Sequence, residues 1–179
     1  MTEGFCVSCG GELRQQALYH AKRLVCLECG RIAYPALRVA VSTIPYTREN
    51  RILLVRRAIH PGFGCWVIPG GYREIGEDLY AAAVREMREE VGLRVNPETL
   101  KFSGLYSYRE DPTILVVYDL LVPWQSVLCG PECMEAAWFP LTDLPWEHIY
   151  FRSTHDALRH WIAASGLCQK NSADTEVQR

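Results

Sequence analysis

The stretch Gly71–Leu93, GYREIGEDLYAAAVREMREEVGL, decides how this chain is read. From Asp78 to Val91 it has the makings of one helix. Asp78 can cap the N-terminus, Ala81, Ala82 and Ala83 favour helix, and Gly92 stands where a left-handed C-terminal residue is wanted. At about 100° per residue, Leu79, Tyr80, Ala83, Val84, Met87 and Val91 share one arc, and Glu86, Glu89 and Glu90 share the next. Glu86 stands i,i+3 and i,i+4 from the other two glutamates, so like charges converge and repel. A cation relieves that repulsion, and hard oxygen ligands in an open site suit Mg²⁺ or Mn²⁺, which keep waters and accept substrate phosphate oxygens. Arg85, four residues before Glu89, can orient that carboxylate. Ahead of the helix, Ile68-Pro69-Gly70-Gly71 reads as a strand end turning into a glycine-rich loop, where backbone can approach a metal or phosphate closely. A solvated, charged helix face is the alternative. It explains a helix, but not the glycine pair or the fixed spacing from Gly71 to Glu77 to Arg85.

The segment resembles the Nudix box, G-x5-E-x7-R-E-U-x-E-E-x-G-U with U aliphatic, at Gly71, Glu77, Arg85, Glu86, Met87, Glu89, Glu90, Gly92 and Leu93. The resemblance implies an α/β fold, the α/β/α sandwich with a mixed sheet. It also implies a hydrolase that cleaves a nucleoside diphosphate linked to another group, by attack of water on phosphorus. Catalytic Mg²⁺ (or Mn²⁺) would be held by Glu86, Glu89, Glu90 and the carbonyl of Gly71, with Glu89 or Glu90 as a candidate base. Glu77 and Arg85 would be mainly architectural. Some family members take a base from outside the box, and Glu110, Asp111, Glu132 and Glu135 are the acidic candidates. Glu135 is the one favoured as an extra metal ligand, an exposed strand glutamate being its alternative.

Two C-x-x-C-G knuckles precede this region, Cys6-Val7-Ser8-Cys9-Gly10 and Cys26-Leu27-Glu28-Cys29-Gly30. Their spacing reads as a four-cysteine structural zinc site on Cys6, Cys9, Cys26 and Cys29, with a short hairpin between Glu12 and Val25. So short a segment cannot bury enough apolar surface to fold without a staple. Disulfides and a redox C-x-x-C are the competing readings. Cys65, Cys129, Cys133 and Cys168 lack metal-ligand spacing and are expected to be buried small apolar residues.

The formal net charge of −2 over 179 residues gives no basic footprint for nucleic acid. Up to Arg38, five basic residues face three acidic ones without interleaved aromatics, so the ribbon reads as a structural or dimer-supporting cap and leaves a homodimer open. No apolar run of about 18 residues could span a bilayer, and MTEGFC lacks a signal-peptide pattern. A soluble, cytoplasmic protein is expected.

Strands are expected at Leu37–Ile44, Arg51–Arg57, Cys65–Ile68, Phe102–Tyr108, Ile114–Val122 and Glu135–Phe139, with turns at Pro45–Asn50 and at Asp111-Pro112. A second helix is expected at Thr154–Ser165, capped at its start and stopped by Gly166. The domains would be a ribbon at 1–36, a Nudix domain at 37–169 and a disordered tail at 170–179.

Substrate identity is less legible. A zinc ribbon joined to a Nudix box is similar to a subgroup that includes ADP-ribose and FAD pyrophosphatases, and more distantly NADH pyrophosphatases. The latter carry S-Q-P-W-P-F-P after the box, and KFSGLYSYREDP at Lys101–Pro112 has nothing like it. ADP-ribose or FAD is favoured, with AMP as one product. NADH or nucleoside triphosphates are the alternative substrates, and a noncatalytic nucleotide sensor or nucleic-acid binder is the rival of another class. Tyr46, Phe63, Trp66, Tyr106 and Tyr108 are candidates to stack on a nucleotide ring. His60, His148, His155 and His160 have no nucleophile or metal partner in the sequence. Metal analysis of the purified protein is expected to give one zinc per chain, lost in Cys26→Ser; a metal content that the substitution leaves unchanged would refute the ribbon.

Overall fold

A computed structural model of the chain describes residues 4–166. Cys168 and the expected tail at 170–179 lie outside them. The chain divides into two compact units between Leu37 and Arg38.

The first unit is a small antiparallel sheet of β1 (Leu13–Leu18), β2 (Ala21–Cys26) and β3 (Ile32–Ala33), in that order. Tyr19 and His20 join β1 to β2 with φ of 51° and 63°, the two-residue geometry whose twist suits a hairpin. Among the described residues, Cys6, Leu13 and Cys26 form its buried cluster, with Leu24 and Ala33 against them.

The second unit runs β4 (Arg38–Tyr46), β5 (Arg51–Arg57), β6 (Trp66–Val67), β7 (Gly70–Tyr72), α1 (Leu79–Val91), β8 (Lys101–Tyr108), β9 (Asp111–Leu121), β10 (Cys133–Pro140) and α2 (Arg152–Ser165). Its sheet has the order β10-β5-β4-β9-β8, with β6 added to β5 and β7 to β4. The β4–β9 pair is parallel, from Arg38 opposite Thr113 to Tyr46 opposite Leu121; the other pairs are antiparallel. In β5 the alternation is visible residue by residue. Leu53 and Val55 pack with Val41, Ala83, Met87 and Val91 beneath α1, whereas Ile52 and Leu54 pack with Ile44, Val117, Leu158 and Trp161 beneath α2. Ile52-Leu53-Leu54-Val55 is therefore an unbroken apolar run, because both faces of the sheet are covered. The result is the α/β/α sandwich with a mixed sheet.

Several local expectations need correction. β4 continues through Pro45 to Tyr46, so the turn falls at Thr47–Asn50, where Asn50 takes φ 56°. Asp111 and Pro112 belong to β9 rather than to the turn before it. Pro112 is tolerated there because the ladder shifts register between Ser107 and Tyr108, at a point where its missing N–H is not needed. The second helix starts at Arg152 with Phe151 at its cap and no side-chain cap bond, and Thr154 is buried inside it. On α1 the buried stripe is Ala82, Ala83, Met87 and Val91, while Tyr80 lies at the margin with its ring 4.9 Å from that of Tyr118. Cys65 and Cys133 are half-buried and Cys129 is exposed, so none of these three is the buried apolar filler expected.

Leu54 is fully buried and Leu105 is 59% exposed on the edge strand β8. Leu54→Ala is expected to cost about 2–5 kcal/mol in denaturant unfolding, against less than about 0.5 kcal/mol for Leu105→Ala. Equal losses would contradict the placement of the core.

Candidate active site

The glycine pair is a strand, not a loop. Gly70, Gly71 and Tyr72 pair with Ser42, Val41 and Ala40 of β4. They fit because two side chains are missing. A Cβ on Gly70 would lie 2.2 Å from the Val41 carbonyl oxygen, and one on Gly71 would lie 2.5 Å from Glu86 Oε1. Gly70 also has φ 153°, which side-chain-bearing residues rarely adopt. β7 is thus pressed between β4 on one side and the carboxylates of α1 on the other.

Sequence features fix α1 at both ends. The Asp78 side chain accepts from the Ala81 amide at 2.8 Å. At the other end Gly92 is left-handed, its amide donates to the Arg88 carbonyl at 3.1 Å, and the Leu93 amide donates to the Met87 carbonyl at 3.1 Å. Arg85 then organises the acidic face. Its guanidinium clamps Glu77 through Nε to Oε2 at 3.1 Å and Nη2 to Oε1 at 2.8 Å. The same group donates to Glu86 at 2.7 Å, Glu89 at 3.2 Å and the Tyr72 carbonyl at 3.0 Å. Arg85 and Glu77 thus hold helix, strand and connecting loop together, and Arg85 does orient Glu89.

Arg85 bonds both Glu86 and Glu89, and the charge of Glu86 reaches Glu90, although among the described residues only the four cysteines bring three or more ligand atoms within 4.8 Å of one another. Glu90 Oε2 accepts from the Gly70 amide at 2.8 Å, and no described group donates to its other oxygen. Glu89 lies at the rim, its side chain 49% exposed against 12% for Glu86. Glu135 goes elsewhere. A bulge between Cys133 and Glu135 turns it opposite Arg56, to whose guanidinium it pairs at 3.7 Å. Glu132 is the acidic group outside the box whose charge Glu86 and Glu90 both feel. Glu110 pairs with Arg152, and Asp111 accepts from the Thr113 amide.

Beside Gly70 and Gly71 opens a cavity of about 230 Å³ walled by Tyr72, Tyr106, Tyr108 and Phe151 and reached by Arg57 and Asp111. Of the five ring candidates, Tyr106 and Tyr108 line it. Tyr108 donates to Asp156 at 2.6 Å, and Tyr106 stands 3.2 Å from His160 Nδ1. Tyr46 instead packs its ring 4.8 Å from Trp161, Trp66 is core against Phe139, and Phe63 stacks outside on His60. Sequence reasoning missed Arg57 and Phe151. Arg57 donates to the Pro61 carbonyl at 2.7 Å and lies near enough to Glu90 to favour its charged form. Its only signal was a cation ending a strand one turn of chain before the glycines.

In the first unit the sulfurs of Cys6, Cys9, Cys26 and Cys29 all lie within 4.8 Å of one another. The Ser8 amide donates to Cys6 Sγ at 3.4 Å, and Gly10 and Gly30 take the positive φ that the knuckles require. Backbone amides of Ser8 and Cys9 hold the Cys6 thiol down to about 6. Four convergent sulfurs, with the Cys26 thiol also lowered by the Cys29 backbone amide, are the donor set that tetrahedral zinc takes.

Electrostatics set the carboxylates apart. The Arg85 hydrogen bonds, with the Glu74 amide, hold Glu77 down to about 2. Burial pushes Glu90 up to about 8, with the neighbouring Glu86 adding to the shift, and burial likewise raises Glu86. Without a cation, Glu90 is therefore mostly protonated at neutral pH, and a divalent ion must displace that proton to bind. Mn²⁺ affinity is expected to rise between about pH 6 and about pH 8, by up to ~10-fold per unit, and to level off above. A flat profile in the parent protein would exclude Glu90 as a ligand.

A family model described as the NUDIX domain matches residues 36–162. The chain is similar to an ADP-ribose pyrophosphatase of Methanocaldococcus jannaschii, 38% identical over 102 residues, which cover 55% of this chain and 59% of that protein. It is also similar to the NAD-capped RNA hydrolase NudC of Pseudomonas aeruginosa, 32% identical over 144 residues, covering 79% of this chain and 49% of that protein. This chain thus spans half to three-fifths of the length of these curated relatives. Among solved structures, a Nudix hydrolase from Nitrosomonas europaea is similar over 95% of this chain and 93% of its own, with TM-score 0.79 and 29% identity. The carboxylate patch of α1 thus lies inside the matched region, and the chain belongs to the Nudix family.

Proposed function

We propose that this protein is a divalent-metal-dependent pyrophosphohydrolase that cleaves the diphosphate of a nucleoside diphosphate linked to another group. ADP-ribose is the first substrate and FAD the second, with AMP and a phosphorylated remainder as products. One observation carries the reading. Two carboxylates of a single helix meet the glycines of β7, Glu86 at Gly71 and Glu90 at the Gly70 amide, and that glycine pair also lines an aromatic-walled cavity.

Glu86, Glu89 and Glu90, with the carbonyl of Gly71, are the groups that would hold Mg²⁺ or Mn²⁺. Such an ion supplies neutralisation of the diphosphate and a lowered pKa for bound water. The protein's own groups do the rest. The Gly70 amide fixes Glu90, and Arg85 fixes Glu86 and Glu89. Glu89, at the rim and open to solvent, is placed to accept a proton from the attacking water, and Glu132 is a second acceptor of the right charge. Tyr106 and Tyr108 offer ring faces to the nucleoside, and Arg57 offers guanidinium N–H groups to phosphate oxygens between ring and carboxylates. Zinc held by the four cysteines supplies structure to the first unit.

ADP-ribose is favoured by the M. jannaschii relative, which bears that activity in its name. An NAD-type diphosphate is the second reading, favoured by the breadth of the match to NudC. No helix among the described residues is long and apolar enough to cross a membrane.

Glu89→Gln and Glu90→Gln are each expected to lower kcat by about 100-fold or more while circular dichroism and Tm stay near those of the parent. The substrates to compare are ADP-ribose, FAD, NADH, diadenosine polyphosphates and nucleoside triphosphates. Near-parental turnover in both variants would sink the assignment. Tight nucleic-acid binding without hydrolysis of any diphosphate would favour the noncatalytic rival.

A further inference from the structure

We propose that Cys129 and Cys133 form a reversible dithiol–disulfide pair, a thiol modification site that acts on the carboxylate helix through the segment between them. Their sulfurs already lie 3.1 Å apart, with Cys133 donating to Cys129, and must close to about 2.0 Å for a bond to form. A backbone bond from the Cys133 amide to the Gly130 carbonyl, 3.1 Å, folds the intervening residues into a turn that holds the two thiols together.

What this segment touches gives the pair its leverage. The last carbonyls of a helix have no partner within it. Here the Leu128 amide donates to the Val91 carbonyl at 3.2 Å and the Gly130 amide to the Glu90 carbonyl at 2.9 Å. The contact is close enough that a Cβ on Gly130 would lie 2.0 Å from the Glu89 carbonyl oxygen. Cys133 is fixed in β10 opposite Arg57, whereas Cys129 is exposed in an irregular stretch, so closure moves Cys129 and draws Gly130 with it. The same turn carries Glu132, whose charge reaches Glu86 and Glu90.

The chemistry balances with a peroxide as oxidant. The exposed Cys129 thiol is oxidised to the sulfenic acid as hydrogen peroxide is reduced to water. The Cys133 sulfur then attacks that sulfur, the S–O bond breaks, and a second water leaves as the disulfide forms. A small thiol restores both cysteines by exchange.

The consequence for metal binding rests on the reading that Glu86, Glu89 and Glu90 hold a divalent ion; the disulfide itself does not. The full chain is treated with hydrogen peroxide, alkylated and digested with trypsin. No lysine or arginine lies between Glu110 and Arg152, so both thiols fall in one peptide that contains no other cysteine. That peptide is expected to become two hydrogens lighter, to take no alkyl group, and to revert with dithiothreitol. On the same samples Mn²⁺ affinity is expected to fall by ~10-fold, as when partners just outside a ligand set are disturbed. In Cys129→Ser the peroxide should leave Mn²⁺ affinity unchanged, which separates the effect from oxidation of the other cysteines. Free thiols in the peptide at peroxide levels that oxidise Cys6, Cys9, Cys26 or Cys29 would overturn the pair. A disulfide without loss of affinity, or the same loss in Cys129→Ser, would overturn the switch. Absence of Mn²⁺ binding in both redox states would overturn the metal-site reading and the switch with it, while the mass shift still decides the disulfide.

Discussion

Helix and sheet meet at the site through two residues without side chains. Gly70 lies against the β4 backbone and Gly71 against the Glu86 carboxylate, and a single methyl group at either would occupy space already filled. Every other feature of the site depends on this closeness. The Gly70 amide can reach Glu90 only because β7 lies so near α1, and the floor of the cavity is that same pair of glycines. Glycine in a strand forfeits backbone entropy and packing area. That cost is offset by the ladder with β4, by the two cores that clamp the sheet from both faces, and by the Thr43 amide donating to the Pro69 carbonyl.

Charge is distributed around this contact unevenly. One guanidinium, Arg85, serves three glutamates and a carbonyl, and its strongest pairing is bidentate with Glu77, which is placed to brace the loop before the helix. Glu90 accepts from the Gly70 amide and feels the charge of Arg57, without a guanidinium hydrogen bond among the described residues. The two carboxylates, on neighbouring stretches of chain, are consequently driven in opposite directions, Glu77 down to about 2 and Glu90 up to about 8. The Arg85 hydrogen bonds account for the first shift and burial for the second, so the pair is separated by environment alone. The helix also spends its own ends differently. Gly92 and Leu93 close the carbonyls of Arg88 and Met87 from within the chain's next turn, while those of Glu90 and Val91 are closed by Gly130 and Leu128, from a distant segment.

What could be read from the sequence follows the range of the interactions. The α1 boundaries were legible because Asp78 and Gly92 act on atoms a few residues away. The apolar run in β5 was legible as a strand because a buried strand shows its composition directly. That Glu86, Glu89 and Glu90 fall on one side of α1 follows from the pitch of a helix. By contrast, the glycines of β7 signal a loop unless one knows that β4 and α1 close on them. The placement of Tyr106 and Tyr108 on the cavity, and of Tyr46 and Trp66 away from it, depends on which face of the sheet each ring leaves, and aromatic residues are common on both; Phe63 lies in the loop between β5 and β6. The register shift that turns Glu135 toward Arg56 and leaves Glu132 near the carboxylates has no local signature at all.

The parallel pairing of β4 with β9 has a kinetic meaning. Arg38 must find Thr113 and Tyr46 must find Leu121 across most of the domain's length, and the loop between them has to be closed before that ladder returns any stability. β5, β6, β7 and α1 all leave the ribosome before β9 does. During that interval β4 has only its antiparallel neighbours, and the edge of β4 that β9 will take is exposed. The hairpin of the first unit faces no such delay, because β1 and β2 are adjacent in sequence. The two units therefore mature on different clocks: the hairpin of the cysteine unit pairs neighbouring stretches of chain, and the sheet that carries the second unit closes only once β9 has docked on β4.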